Sequence, residues 1–553
     1  MLLDQALRLA LGYGYTNPFS FLAYFLLASV LFYVAGTELQ RFQRRIPGFN
    51  GPTGLPVLGN IHQIRVNAAE QYRLWAKTYG PVYQIMLGNV PVIIVNSAKS
   101  AREIFGSNSQ ALSSRPEFYT FHKVVSSTAG TTIGTSPFSE SLKRRRKGAA
   151  SALNKPSVNT YIPHIDIETR DFLNEFLIYG EAGKKSVDPM PMIQRLSLSL
   201  ALTLNWGTRI TSQDDKLFAE ITHVEEEVSK FRSTTGNLQD YIPILRLNPF
   251  SFGARNARDM RHRRDVYLQK LNSDLDARIA AGTQAACIQA NVMADKDAKL
   301  NAEELTSISL TMLSGGLDTL TTLVAWSMAL LAQRPDIQAT ALAAIRQTYP
   351  ASQPLASADD DMTIPYINAL VRELLRYYTV LRLALPRRTV KDVVYAGHTI
   401  PAGSVVFLNA WACNMDPDVW TDPDDFRPER WLENPDAPLF TYGLGYRMCA
   451  GSLLANREMY TIYLRLLGAF EIKDVVLGGD ADADADADAG AGAGGKTKVA
   501  DEEKFETHPV RGVEDQTQLV SVPRRYRVRV VPRDEAALRK ALQEAGEKDG
   551  QGH

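Results

Sequence analysis

Apolar and polar positions along the chain follow two rhythms. Between residues 96 and 375 most of the sequence favours helix, with residues 165–177, 215–230, 255–281 and 303–334 each expected to form one, and 450–467 has the Leu, Met, Ala and Arg content of another. Short strands are expected elsewhere. Residues 83–87 and 91–95 flank Gly88-Asn89, which is hairpin turn chemistry, while 393–395, 399–400 and 405–408 are separated by turns at Ala396-Gly397 and Ala402-Gly403. A last strand pair is expected within 519–532. The predicted class is mainly α with a smaller β-rich region, α+β.

One stretch has no polar rhythm at all. Residues 19–36 carry no charge and as a helix reach roughly 27 Å, about one hydrocarbon core. No polar stripe interrupts the run, and its length and weakly basic flank argue against a cleaved signal peptide. Arg41, Arg44 and Arg45 follow directly, so the positive-inside rule puts the body of the protein on the cytosolic side. The expected organisation is a short N-terminal segment (1–18), one transmembrane anchor (19–36), a basic Pro/Gly hinge (37–56), a body (57–533) and a charged tail (534–553). An Asp/Ala/Gly repeat at 478–495 has no side chain able to build a core and is expected to be a disordered insertion.

Composition narrows the function classes. With 61 Lys plus Arg against 61 Asp plus Glu in 553 residues, no net field attracts nucleic acid, and no nucleic-acid partner is expected. The 3 cysteines, Cys287, Cys413 and Cys449, lie too far apart for a disulfide framework or a zinc motif and suit a reducing compartment.

Candidate chemistry centres on Cys449. Gly443, Gly445 and Gly451 let the surrounding backbone bend and approach a flat object closely. The helix expected to follow would place its amides beside the sulfur, favouring a thiolate, and Arg447 could hold a carboxylate. In isolation such a loop is equally compatible with one inert buried thiol. Upstream, Gly315-Gly316-Leu317-Asp318-Thr319 sits inside an apolar helix. Glycine there costs about 1 kcal/mol relative to Ala, so something should require the missing side chains, either packing or a ligand. Thr319 can bond back to the Gly315 carbonyl and open a groove, and Asp318 could relay protons. Glu373 and Arg376, three apart on one helix face, form a candidate ion pair.

Together, Tyr442, Gly445, Arg447, Cys449 and Gly451 resemble the haem-binding loop of cytochrome P-450 monooxygenases, FxxGxRxCxG, with Tyr442 where the pattern has Phe. The Gly315–Thr319 stretch resembles that family's oxygen-activation motif. Glu373, Arg376 and Arg430 resemble the buried network that braces the cysteine loop. The resemblance spans roughly residues 50 to 533 and implies the cytochrome P-450 fold behind the anchor. It further implies haem b (iron protoporphyrin IX) ligated by Cys449, with Arg447, Arg146 and Arg387 on the propionates. Leu142 replaces a hydrogen-bonding residue in the basic run 142–147, whose other cations are either a solvated face or a docking patch for an acidic redox partner.

By the same resemblance, dioxygen is the co-substrate, and Thr319 and Asp318 deliver protons. No flavin or nicotinamide motif is evident. Electrons would therefore come from NADPH through a separate NADPH–cytochrome reductase, with cytochrome b5 as a second donor, at the endoplasmic reticulum membrane. Gly315, Thr379 and Arg382 fall where the family lines its substrate pocket, Arg382 being either solvated or a clamp for an acidic substrate. The wording of 132–137, 407–412, 435–440 and 507–512 is similar to fungal phenylacetate hydroxylases, implying a small aromatic substrate hydroxylated on its ring. Alternatives are a related monooxygenase of secondary metabolism, a haem-thiolate isomerase or dehydratase that does not use O2, or a haem sensor or carrier without turnover.

Overall fold

A computed structural model of the chain describes residues 18–126, 132–233, 236–247, 252–295, 299–475 and 505–551. The expected insertion at 478–495, and the expected N-terminal segment as far as residue 17, lie outside them.

The first helix, α1 (Pro18–Arg44), stands away from the body, with Phe19 88% and Phe32 82% exposed, and is long and apolar enough to cross a membrane. It runs beyond the expected anchor into the first part of the expected hinge, because Glu38 accepts from Arg41 and from the Val57 amide while Arg41 also donates to the Leu55 carbonyl. Asn89, in the turn between β1 (Val82–Leu87) and β2 (Val90–Val95), donates to Gln40. Side-chain hydrogen bonds therefore fix the direction in which α1 leaves the body, in addition to the stiff Pro/Gly segment.

The body is built mainly from α2 (Glu140–Ala152), α3 (Ile162–Tyr179), α4 (Met190–Trp206), α5 (Lys216–Phe231), α6 (Phe252–Ala281), α7 (Ala302–Gln333), α8 (Pro365–Tyr378) and α9 (Ser452–Ala469). Helix α7 runs through the middle. A capping box starts it, Asn301 accepting from the Glu304 amide and Glu304 from that of Asn301. It too is apolar enough for a membrane, but most of it is buried, which makes it a core helix. One side packs in the largest core cluster with Leu196, Leu374 and Tyr463, where Trp326 stacks on Tyr378 at 4.6 Å. The other side, through Leu310 and Leu313, packs with Trp206, Ile221 and Leu271 of α4, α5 and α6.

A four-stranded sheet has the order β1-β2-β6-β3, where β3 is Arg387–Arg388 and β6 is Val405–Leu408; β2 and β6 are parallel, the outer pairs antiparallel. Strands β4 (Val393–Tyr395) and β5 (His398–Ile400) form a separate hairpin. The strand pair expected within 519–532 does not form. Only β8 (Val528–Pro532) is a strand, and it pairs antiparallel with β7 (Phe470–Asp474), which leaves directly from α9. Pro523 interrupts the expected run; without an N–H it cannot carry a ladder, and it makes only an isolated bridge with Val513.

Candidate active site

The loop before α9 is held by its own backbone. The Cys449 amide donates to the Tyr442 carbonyl at 2.9 Å and the Met448 amide to the Gly445 carbonyl at 2.9 Å. Gly445 has φ +62°, and a Cβ there would lie 2.5 Å from the Phe105 carbonyl oxygen, so no other residue fits without displacing backbone. Gly451 differs. It has ordinary φ, precedes the first turn of α9, and a Cβ added there meets nothing within 4 Å. The Tyr442 hydroxyl, which a Phe would lack, donates to Asn456 at 2.8 Å. Cys449 is exposed, yet the surrounding protein desolvates its thiol enough to raise its pKa, while the Gly451 amide and Arg146 pull the other way.

Arg447, Arg387 and Arg146 come together as expected, and Arg115 joins them. Desolvation and mutual repulsion push Arg447 and Arg387 down to about 9 and Arg115 well below its ordinary value. Their donors go to carbonyls. Arg447 bonds those of Ser113, Ser136 and Ile133, Arg115 those of Gly134 and Pro386, Arg387 those of Leu112 and Leu444, and Arg146 that of Met448 at 3.5 Å. None of them makes an ion pair with a carboxylate among the described residues, and Arg447 Nε has no partner. Buried cations packed together without an anion, beside an exposed thiol and a glycine with open space at its Cβ, fit a flat iron porphyrin that brings a soft-ligand metal and carboxylates.

Helix α7 supplies the second half. Its glycines do different work: a Cβ on Gly316 would touch Ala201 of α4 at 3.4 Å, whereas one on Gly315 meets nothing within 4 Å. Gly316 permits close helix packing and Gly315 keeps a face open. Thr319 Oγ1 donates to the Gly315 carbonyl at 2.6 Å, the back-bond expected from the four-residue spacing. Asp318 meets Arg232, at the end of α5, at 3.1 Å, and burial pushes its carboxyl up to about 6 despite that cation.

The bracing network is complete. Glu373 accepts from Arg376 at 2.8 Å on both oxygens, from Arg430 at 3.0 Å, from the Arg427 amide at 2.9 Å and from Trp431 Nε1 at 2.9 Å. Arg376 also donates to the Asn414 carbonyl; Asn414 in turn accepts from the Phe440 amide and donates to Thr441, at the start of the cysteine loop.

Two expectations need correction. Thr379 does not line a pocket: it is fully buried at the end of α8 with φ +41°, donating to the Arg376 carbonyl and accepting from Asn414. Arg382 is not solvated. It is 8% exposed, donates to the Pro509 carbonyl, and burial pushes its pKa down to about 10. Leu142, where a donor was missing, is a core residue. Arg115, Asn414 and Arg232 were missed. Arg115 is marked in the sequence only by the following Pro116, and the other two by nothing local.

A family model described as Cytochrome P450 matches residues 49–486. The chain belongs to the cytochrome P450 family. This P450 is 61% identical over 542 residues, 98% of this chain and 100% of the relative, to 3-hydroxyphenylacetate 6-hydroxylase of Emericella nidulans. It is 40% identical over 511 residues, 91% of this chain and 94% of the relative, to phenylacetate 2-hydroxylase of the same organism. As a P450 monooxygenase it works with a thiolate-ligated haem, O2, a small-molecule substrate and electrons supplied by a reductase.

Proposed function

We propose that this P450 hydroxylates the ring of phenylacetate or a related arylacetate, next to the carbon that bears the acetate group. The observation that carries this is the near full-length similarity to enzymes named as a 6-hydroxylase and a 2-hydroxylase of arylacetates, since positions 2 and 6 both adjoin that carbon. Residues 57–533 form the catalytic body. Cys449 would ligate the haem iron, with Tyr442, Gly445 and Gly451 shaping the loop around it, and Arg447, Arg387 and Arg146, with Arg115 among them, would hold the carboxylates of haem b. When bound, the haem supplies the reduction and cleavage of dioxygen.

The chain's own side chains position and protonate. Thr319, tied to the Gly315 carbonyl at 2.6 Å, holds a hydroxyl beside the open face of α7, where it hands on a proton. Asp318 supplies that proton from the side of α5. Glu373, Arg376 and Arg430 hold the loop through Asn414 rather than react. Electrons come from an NADPH-dependent reductase, with cytochrome b5 as a second donor. Helix α1 anchors the enzyme in the endoplasmic reticulum membrane with the body in the cytosol, where Arg41, Arg44 and Arg45 favour it.

The test is reconstitution of the full chain with reductase and NADPH in vesicles under ¹⁸O2, with phenylacetate and 3-hydroxyphenylacetate and mass spectrometry of the products. One labelled oxygen next to the side-chain carbon is expected. Return of both acids unchanged, by a protein whose reduced carbon monoxide complex has the red-shifted Soret band of thiolate ligation, overturns the substrate.

A further inference from the structure

An open hollow lies against the site, with Phe118, Phe121, Leu385 and Pro386 as apolar walls and Arg115 and Arg232 as its cations. A flat aromatic ring suits those walls, but a carboxylate entering with it must be paired or pay heavily for desolvation. Arg115 has little to offer. It already serves the carbonyls of Gly134, Leu385 and Pro386 and is crowded by Arg387 and Arg447. His122, also in the wall, has its ring nitrogens engaged by the Phe118 amide and the Thr135 carbonyl, and burial lowers its pKa, so it stays neutral. Arg232 remains. Its side chain is 10% exposed, and among the described residues its Nε is buried with no partner and its guanidinium is held by one carboxylate, that of Asp318.

Arg382 is the competing cation. Its cavity, however, is lined by Asn67, Gln516 and Gln518 and includes the Asp515 carboxylate, with no aromatic wall. Val380, Leu383 and Leu519 give it aliphatic surface, but an anion would meet the like charge of Asp515 there and its ring would have no aromatic partner.

We propose that Arg232 binds the carboxylate of the substrate and in doing so exchanges its ion pair with Asp318 for one with the substrate, so that an acidic substrate releases the acid that serves oxygen activation. This rests on the arylacetate reading given above. The exchange balances in charge: the incoming carboxylate takes Asp318's place on the guanidinium, and Asp318, left buried, takes up one proton from solvent. The groups bearing on Asp318 favour it. Arg232 and Ser229 on α5 and Arg264 on α6 stabilise its charged form, whereas burial and Glu225 on α5 oppose it. Glu225 is itself saturated by Arg264, Tyr267 and Ser314 and does not move. Losing Arg232 therefore leaves a carboxyl whose surroundings favour the neutral form.

The experiment is spectral titration of the ferric holoenzyme, in which substrate entry shifts the Soret band, with phenylacetate and its neutral isostere phenylacetamide. The wild type, Arg232→Gln, Arg232→Lys, Asp318→Asn and Arg382→Gln are compared, each first checked for the thiolate carbon monoxide spectrum. In Arg232→Gln the preference for acid over amide falls by roughly 10- to 100-fold, the loss of one charge-assisted hydrogen-bonded contact, and Arg232→Lys restores part of it. In the wild type the affinity for phenylacetate falls as pH rises above about 6, by up to about tenfold per unit, because binding takes up a proton; Asp318→Asn abolishes that slope.

An unchanged preference in Arg232→Gln, or a loss seen in Arg382→Gln instead, overturns Arg232 as the site. A wild-type slope that persists in Asp318→Asn overturns the exchange. If the wild type binds and oxidises no arylacetate, the substrate reading itself is wrong and this inference falls with it, an outcome distinct from the others.

Discussion

Two groups of arginines in this protein are built on opposite principles. Around Glu373, the guanidiniums of Arg376 and Arg430 share one carboxylate, and every oxygen and nearly every nitrogen has a partner within the chain. Around the cysteine loop, Arg115, Arg146, Arg387 and Arg447 repel one another and, among the described residues, bond only carbonyls. The first group is neutralised by the polypeptide and can brace the fold before any cofactor arrives. The second carries an unmet charge that only a bound anion removes. A protein built around a dianionic cofactor stores part of its binding energy in such unmet charge, since desolvation has already been paid by folding.

Breaking the self-contained group should have the largest effect. Glu373→Ala leaves Arg376 and Arg430 as bare buried cations and removes the acceptor of Trp431 and of the Arg427 amide, so a loss of about 3–5 kcal/mol is expected, enough to prevent accumulation of folded holoprotein. The check is the yield of thiolate carbon monoxide complex per mole of chain. Full yield would show that the network is not what holds the loop.

Arg387→Met sharpens the contrast from the other side. Removing one repelled cation should leave the apoprotein about as stable as before or more so, while haem is lost to excess apomyoglobin faster by roughly 10- to 100-fold. Equal destabilisation of apo- and holoprotein would place Arg387 with the bracing group instead.

How much of this was legible follows from whether the signal is local. The cysteine loop could be read because Gly445, Arg447, Cys449 and Gly451 lie within seven residues, and the Thr319 back-bond because it spans one helical turn. Thr379 was misplaced because its left-handed φ and its buried hydroxyl depend on Asn414, 35 residues away. Arg115 and Arg232 join the site through neighbours 272 and 86 residues distant in the chain, Arg387 and Asp318, and no spacing rule reaches that far. The β8 pairing was missed for the same reason, since its partner β7 lies beyond the 476–504 interval rather than in the adjacent run.

A third buried charge separates the two principles by titration. Glu458, on α9 just after the cysteine loop, makes no ion pair among the described residues, and burial lifts its pKa from 4.5 to about 8. A carboxyl can escape the cost of burial by keeping its proton, which an arginine at neutral pH cannot do. The sign follows. Between pH 4.5 and 8 the unfolded chain releases the proton and the folded chain keeps it, so stability falls as pH rises across that window and is flat on either side. Glu458→Gln should therefore stabilise the protein by about 1–3 kcal/mol at pH 7 and flatten that dependence in denaturant unfolding at several pH values. Retention of the slope in the variant would move its origin to another group.

The smallest effect is expected at Arg146, and it tests whether the unmet charge is shared or belongs to particular residues. Its one bond to the described residues, to the Met448 carbonyl, is long at 3.5 Å, and its guanidinium lies 5.5 Å from the centre of the Tyr446 ring. Little of the fold depends on it. Yet its charge helps to lower Arg115, Arg387 and Arg447, so Arg146→Gln relaxes all of them at once. If the cluster acts as one field, haem should leave only about 3- to 10-fold faster, because the remaining arginines become easier to hold and part of the loss is returned. If each arginine acts alone, Arg146→Gln and Arg387→Met should multiply in the double variant. Haem transfer rates for the two single variants and the double variant, set out as a cycle, read the coupling directly, and a value within error of zero would mean that the site is a set of separate contacts rather than a shared charge.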